Sequence, residues 1–223
     1  MIRILKISGL IIILAFVYAC KKSKNPLSPD DIIIDIEGNI YNTVTISTQT
    51  WMAENLKTTR YKNGTTIPLV TDNTAWAGLT TPGYCWYNND EAANKATYGA
   101  LYNWYTVNTG NLCPTGWHVP SDAEWTTLTT YLGGNNVAGG KLKETGTAHW
   151  ASPNTGATNE TSFTALPGGA RYYLGSYFNF GQRGYWWSSN ETSFRYMLYF
   201  GSYISKDVEY KKVSCSVRCL RDF

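Results

Sequence analysis

Charge and histidine are what this sequence has least of. Asp, Glu, Lys and Arg make up 16% of its 223 residues, with a formal net charge of +3. Two of the positive charges, Arg3 and Lys6, lie in the N-terminal segment, so the remainder is nearly neutral. A near-neutral chain gives no electrostatic case for nucleic acid as a partner. His118 and His149 are the only histidines, too few for a centre built on three imidazoles. No C-x-x-C pair occurs, which argues against zinc. Gly139-Gly140-Lys141 lacks both the following Ser or Thr and the earlier glycine of a phosphate loop. Glu54, Asp90, Glu91, Glu144 and Glu160 show no spacing that singles out a glycosidase acid–base pair. Asn159-Glu160-Thr161 matches a glycosylation sequon, a three-residue pattern that by itself carries little weight. No long-period repeat is present.

Aromatic residues fill the space that charge leaves: the chain has 9 Trp and 17 Tyr. That composition suits irregular β structure outside the cell and surfaces that bind neutral polar ligands such as glycans. The N-terminus points the same way. Arg3 and Lys6 precede a nearly unbroken apolar run over residues 7–17, and Val17-Tyr18-Ala19-Cys20 follows, which is the order of a secretory signal. The tetrapeptide resembles a bacterial lipobox, although Tyr18 is bulkier than the usual residue there. The expectation is a signal peptide over 1–19, acylation of Cys20, a polar, proline-broken tether over 20–31, and a single domain over 32–223. A plain signal peptide or an uncleaved anchor is the alternative, but the run is short for a spanning helix, which needs about 20 residues.

Cys85, Cys113, Cys215 and Cys219 remain as disulfide candidates. An even count in an exported chain predicts up to two bridges in one of three connectivities. Cys215 and Cys219 lie four apart in an alternating, extended stretch, about 13 Å from one another. They are too far apart to pair, so each must reach toward Cys85 or Cys113. Free buried thiols are the alternative.

Along the chain, residues 32–36, Glu37-Gly38-Asn39 and then Ile40, Val44 and Ile46 predict an opening hairpin. Tyr84-Cys85-Trp86-Tyr87 predicts a short strand. The oxygens of Asn88-Asn89-Asp90-Glu91 could hold calcium, but an Asn/Asp turn is the commoner reason for such a run. Tyr98, Leu101, Tyr102 and Tyr105 have helical spacing. Next comes the densest stretch, Leu112-Cys113-Pro114-Thr115-Gly116-Trp117-His118-Val119-Pro120. It leads into Ser121-Asp122-Ala123-Glu124, a capping box. Trp125, Leu128 and Leu132 form the stripe of a second helix, and Gly133-Gly134 stops it. His118 reads as a hydrogen-bonded strut and Glu124 as half of the cap. Residues 137–144 could add one or two helical turns. Beyond His149 only short strands separated by Gly, Ser and Asn turns are indicated. The predicted class is α+β, with two helices, an irregular antiparallel C-terminal sheet, and adjacent terminal strands.

Several blocks resemble the Fibrobacter succinogenes major paralogous domain of bacterial surface lipoproteins. They include Thr50-Trp51-Met52-Ala53-Glu54-Asn55-Leu56, Tyr98-Gly99-Ala100-Leu101-Tyr102-Asn103-Trp104 and Cys113 through Trp125. Gly139-Gly140-Lys141-Leu142-Lys143, Ala165-Leu166-Pro167-Gly168-Gly169, Gly184-Tyr185-Trp186-Trp187-Ser188-Ser189 and Ser216-Val217-Arg218-Cys219 complete the set. The resemblance spans roughly residues 37–222, and Cys215 is an addition to its pattern. Val119 through Trp125 and the closing Ser216-Val217-Arg218-Cys219 are also distantly similar to sulfatase-modifying, formylglycine-generating domains. That resemblance implies a C-type-lectin-like fold. It does not bring a catalytic site: enzymes of that group hold copper on a cysteine pair, or iron on several histidines, and neither set can be assembled here.

In C-type-lectin-like proteins the C-terminal strands form a variable ligand face, and residues 191–210 occupy its place. Alternation sends Phe194, Tyr196, Leu198 and Phe200 one way and Arg195, Met197 and Tyr199 the other, and does not say which row is exposed. Trp186 and Trp187 point to opposite faces, so at most one is a sugar platform. The candidate ligand residues are Trp187, Arg195, Tyr196, Tyr199 and Tyr203, with no catalytic residue, no metal ligand and no cofactor. The expected protein is a non-enzymatic outer-membrane lipoprotein of the cell envelope. It would be held to the membrane by its lipid and would bind a polysaccharide or a surface protein. A metal-dependent oxidase or hydrolase on the same fold, or a structural envelope component, is the alternative.

Overall fold

The computed structural model describes residues 32–223. The signal segment, Cys20 and the tether lie outside the described residues. The chain opens with β1 (Ile32–Ile34), β2 (Ile40–Ile46) and β3 (Gln49–Met52), followed by α1 (Asn73–Gly78), β4 (Tyr84–Cys85) and α2 (Glu91–Tyr98). Next come β5 (Leu101–Asn103), α3 (Trp104–Val107), β6 (Trp117–His118), α4 (Asp122–Tyr131) and α5 (Asn135–Leu142). The C-terminal part holds β7 (Ala170–Arg171), β8 (Tyr177–Phe178), β9 (Arg183–Trp187), β10 (Ser193–Leu198), β11 (Ile204–Val208), β12 (Ser214–Cys215) and β13 (Leu220–Arg221).

The strands form three antiparallel sheets, ordered β1-β2-β3-β13-β6, β11-β10-β9 and β4-β5-β12-β7-β8. The mixed α and β content and the opening hairpin follow the sequence pattern. Asp35 closes the hairpin turn, accepting from the backbone of Glu37 and Asn39 and from the Tyr41 hydroxyl at 2.7 Å. The terminal strands share a sheet but are not adjacent as expected: β13 lies between β3 and β6, with β2 and β3 separating it from β1. α4 carries both halves of its capping box: Ser121 N–H donates to Glu124 at 2.7 Å, and Glu124 N–H donates to Ser121 Oγ at 3.3 Å.

The helix expected from Tyr98, Leu101, Tyr102 and Tyr105 does not form. α2 ends at Tyr98 because Gly99 adopts φ +72°, where a β-carbon would lie 2.6 Å from the Leu56 carbonyl oxygen. Leu101 and Tyr102 then enter β5, where Tyr102 pairs with Tyr84 and Cys215. Ladder bonds to two neighbouring strands outweigh a helical spacing only four residues strong. Five α-helices, not two, stand among the described residues.

Cys113 bonds to Cys219. Cys85 and Cys215 stay as free, buried thiols, so the second bridge is not made. Sheet geometry explains it. Cys85 lies opposite Leu101 and Cys215 opposite Tyr102, and consecutive residues of β5 point to opposite faces. The two thiols therefore look out from opposite sides of one sheet. Burial pushes both thiols above their usual range.

Much of the chain is loop, and three buried cations hold that loop backbone. Lys143 Nζ donates to the carbonyls of Thr155 (3.0 Å), Leu198 (2.9 Å) and Gly201 (2.9 Å). Arg171 donates to the carbonyls of Gly175, Val70 and Thr71 and to Asn73 Oδ1, with its guanidinium 4.4 Å from the centre of the Trp76 ring. Arg218 donates to the carbonyls of Phe163 and Thr164 and to Asn55 Oδ1. Each cation satisfies acceptors that no strand ladder reaches. Burial pushes Lys143 down to about 8 and Arg218 to about 9, so both are charged at neutral pH.

Asn55 joins three of the sequence blocks. Its Nδ2 donates to the Tyr98 carbonyl and Ser216 Oγ, and its Oδ1 accepts from Trp186 Nε1 and Arg218 Nε. That uses the full hydrogen-bonding capacity of one amide. Gly139 and Gly140 are packing glycines: a β-carbon on either would collide with the carbonyl of Tyr203 or Gly156.

Candidate functional site

The three-stranded sheet β9–β10–β11 separates two environments. Its register places Tyr185 opposite Tyr196, Trp187 opposite Phe194, and Phe194 opposite Asp207. Residues opposed across an antiparallel pair share a face. One face therefore presents Arg183, Tyr185 and Trp187, then Phe194 and Tyr196, then Asp207. The other presents Trp186, Met197 and Ile204 to the core formed with Trp125, Leu128 and Leu142.

On the first face the sheet forms a cleft with a cavity volume of about 150 Å³. Tyr185, Phe194 and Tyr196 make one wall, with ring centres 5.9–6.1 Å apart. Phe178 of β8 closes one end, 5.6 Å from Tyr185. Asn179 Nδ2 donates to the Tyr185 hydroxyl at 2.6 Å. Arg183 lays its guanidinium 5.9 Å from the centre of the Tyr196 ring. Val213 and Cys215 form the floor, and Asp207 and Glu209 form an acidic rim. Beyond the rim the aromatic surface continues through Tyr172, Tyr173 and Tyr210, whose ring centres lie 4.2 and 4.4 Å apart. Burial pushes the Tyr185 phenol above its usual range, although Asn179 and Arg183 pull the other way. The wall is thus neutral rings, and the rim carries the charge.

Of the five residues singled out in the sequence, only Tyr196 lines this cleft. Trp187 is fully buried and donates its indole N–H to the Tyr102 carbonyl at 2.7 Å, so it is core and not a sugar platform. Trp186 is equally buried. Arg195 is buried on the opposite face, where it donates to Asp122 at 2.9 Å; Lys206 meets the same carboxylate at 2.5 Å. Tyr199 packs against the core that holds Trp186 and Met197, and Tyr203 lies over Gly201 beside α5. The row that lines the cleft is therefore the one that contains Tyr196, a choice alternation alone left open. Phe178, Asn179, Arg183, Tyr185, Phe194, Asp207 and Glu209 were missed. The spacing Asp207-x-Glu209 and the alternation Arg183-x-Tyr185 were available as signals, but only strand pairing brings them together.

A family model for the Fibrobacter succinogenes major domain matches residues 44–221, which include the whole cleft. The chain belongs to this family. No curated protein and no solved structure matches it.

The densest block of this family member is architectural. His118 bridges Asp222 (Nδ1, 2.6 Å) and Glu124 (Nε2, 2.9 Å). Carboxylates only accept, so both ring nitrogens donate and the ring is an imidazolium. Burial opposes the charge, but the bonds to Asp222 and Glu124 outweigh it and raise the pKa. With the folded pKa above the unfolded value, the contribution to stability is complete below about pH 6.5 and is lost as pH rises through the folded pKa. The stability gap between wild type and His118→Gln should therefore narrow as pH rises above about 6.5 in denaturant titrations. A gap that widens over that range would show the ring to be neutral in the fold.

Among the described residues no three His, Cys, Asp or Glu side chains stand together in a way that could hold a metal ion. The side-chain oxygens of Asn89, Asp90 and Glu91 have protein partners. Asn89 Oδ1 accepts from the Tyr177 hydroxyl, Asp90 caps α2 through Ala93 N–H, and Glu91 pairs with Lys95 at 2.7 Å. A larger, open hollow of about 570 Å³ lies between the first hairpin and α2, lined by Asn39, Lys57, Glu91, Ala92, Lys95 and Ala96. Lys95 and Glu91 neutralise one another there, and no ring lines it. The smaller aromatic cleft is the better candidate.

Proposed function

We propose that this family member is a non-enzymatic binding module of the cell envelope that grips a surface polysaccharide in the β9–β11 cleft. The C-type-lectin-like relationship suggested by Val119 through Trp125 and by the closing strand belongs to the same reading. So does an outer-membrane anchor: acylated Cys20 and the tether would hold the domain at the membrane. One observation carries the proposal: the partly exposed Tyr196, packed on the buried rings of Tyr185 and Phe194, stands on one sheet face beside the polar side chains of Asn179, Arg183, Asp207 and Glu209. Flat rings stack on the C–H faces of pyranoses, and a tyrosine adds a polar tip to a rigid apolar body.

The test is retention of the membrane-extracted full chain on a panel of immobilised bacterial polysaccharides. Tyr196 is only partly buried, so Tyr196→Ala should leave the fold intact and cut retention by about tenfold, about 1.4 kcal/mol. Unchanged retention in Tyr196→Ala would move the binding face elsewhere. Loss of membrane association in Cys20→Ser would support the anchor, and continued association would overturn it.

A further inference from the structure

We infer that the sugar unit held in the β9–β11 cleft is a hexosamine with a free amino group, its ammonium paired with Asp207 and Glu209. The inference rests on the polysaccharide reading above and narrows it to a charged ligand. Its starting point is an imbalance between the two faces of one sheet. On the core side, Asp122 is saturated by Arg195, Lys206 and the Ser193 hydroxyl. On the cleft side, Asp207 accepts only from the neighbouring Val208 N–H, and Glu209 only from Tyr210 N–H at 3.4 Å. Among the described residues neither carboxylate has a cation within ion-pair distance.

Arg183 does not correct the imbalance. Its guanidinium stands over the Tyr196 ring, 5.9 Å from the centre, and among the described residues pairs with neither carboxylate. The lining therefore holds two carboxylates against one guanidinium and keeps a net negative charge. Ring faces carry negative potential, so the aromatic wall adds to the attraction the carboxylates exert on a cation. Burial keeps the Cys215 thiol on the floor in its protonated form, and the Glu209 carboxylate acts in the same direction. A neutral hexose could give these carboxylates hydroxyl donors, but it would bring no opposite charge to a net negative lining. A protonated hexosamine supplies the charge and also a flat C–H face for the partly exposed Tyr196, which packs against the buried Tyr185 and Phe194. A volume of about 150 Å³ suits one monosaccharide unit at a time.

Calorimetric titration of the full chain in detergent provides the test, with three probes: the glucosamine tetramer, the N-acetylglucosamine tetramer and Nα-acetyl-lysine amide. The glucosamine tetramer should bind at least about tenfold tighter than its acetylated counterpart. That preference should shrink with added salt, because the pair is at an exposed rim. It should also disappear in Asp207→Asn combined with Glu209→Gln, while binding carried by Tyr196 persists. Equal affinity for the two tetramers would overturn the ammonium pairing and leave the polysaccharide reading standing. Binding of lysine amide in preference to both sugars would overturn the inference in favour of a basic protein segment. Binding of none of the three would count against both the inference and the cleft.

Discussion

Replacing Arg218 by methionine is expected to lower the unfolding free energy by about 4 kcal/mol, from three acceptors at about 1–3 kcal/mol each once the donor is lost. Methionine retains most of the apolar stem, so the loss reports on the guanidinium. The carbonyls of Phe163 and Thr164 and the Asn55 amide oxygen would remain buried without their partner. Domains of this size are stable by about 5–15 kcal/mol, so much of the population could unfold on warming. Arg218→Lys should recover less than half of the loss, because a single ammonium cannot match the fixed fork that reaches all three oxygens. Urea unfolding of the three proteins, followed by tryptophan fluorescence, measures it. A loss under about 1 kcal/mol for the methionine variant would mean that water takes over the acceptors and that the cation is not a structural tie. The same reasoning applies to Lys143 and Arg171, which join loops to loops in the same way.

Removing the Cys113–Cys219 bridge should cost about as much, by a different route. The bridge closes a loop across a sequence separation of 106 residues. Chain-entropy arguments assign about 4.7 kcal/mol to a loop near 100 residues. Cys113→Ala with Cys219→Ala should therefore lower the denaturant midpoint sharply, and mild reduction of the wild type should do the same. The effect should reach the cleft, because Cys219 lies four residues from Cys215 on its floor and β13 anchors that segment to β3 and β6. Retention on polysaccharide should weaken in the reduced protein even where it remains folded. A reduced chain that keeps both its midpoint and its binding would show that the sheet contacts alone hold the C-terminal segment.

Strictly local features were legible. Ser121 and Glu124 cap α4 because both halves of the box lie within one turn. The Glu37-Gly38-Asn39 turn closes where the β-branched run stops, and His118 is the hydrogen-bonded strut its setting suggested. Asp222, its second partner, lies 104 residues away in sequence and gave no signal. Reading failed where two local preferences competed. Tyr98, Leu101, Tyr102 and Tyr105 have helical spacing, yet Gly99 must take a left-handed conformation against the Leu56 carbonyl, and β5 is claimed by strands on both sides. The cysteines failed in the same way: an even count suggested two bridges, but the two faces of one sheet keep Cys85 and Cys215 apart.

The sequence by itself determined the family, the capped helix, the opening hairpin, the pairing potential of Cys113 and an aromatic C-terminal region rich in tyrosine. These depend on residues within a few positions of one another, or on blocks that survive as blocks. Only the tertiary structure decided which row of β10 meets the cleft, which tryptophans are core, and which carboxylates are left without a cation. Those outcomes depend on which strand lies beside which and in what register. Pairing also turns face selection into an all-or-none choice: a shift of one residue in β10 would bury Tyr196 and bring Arg195 into the cleft.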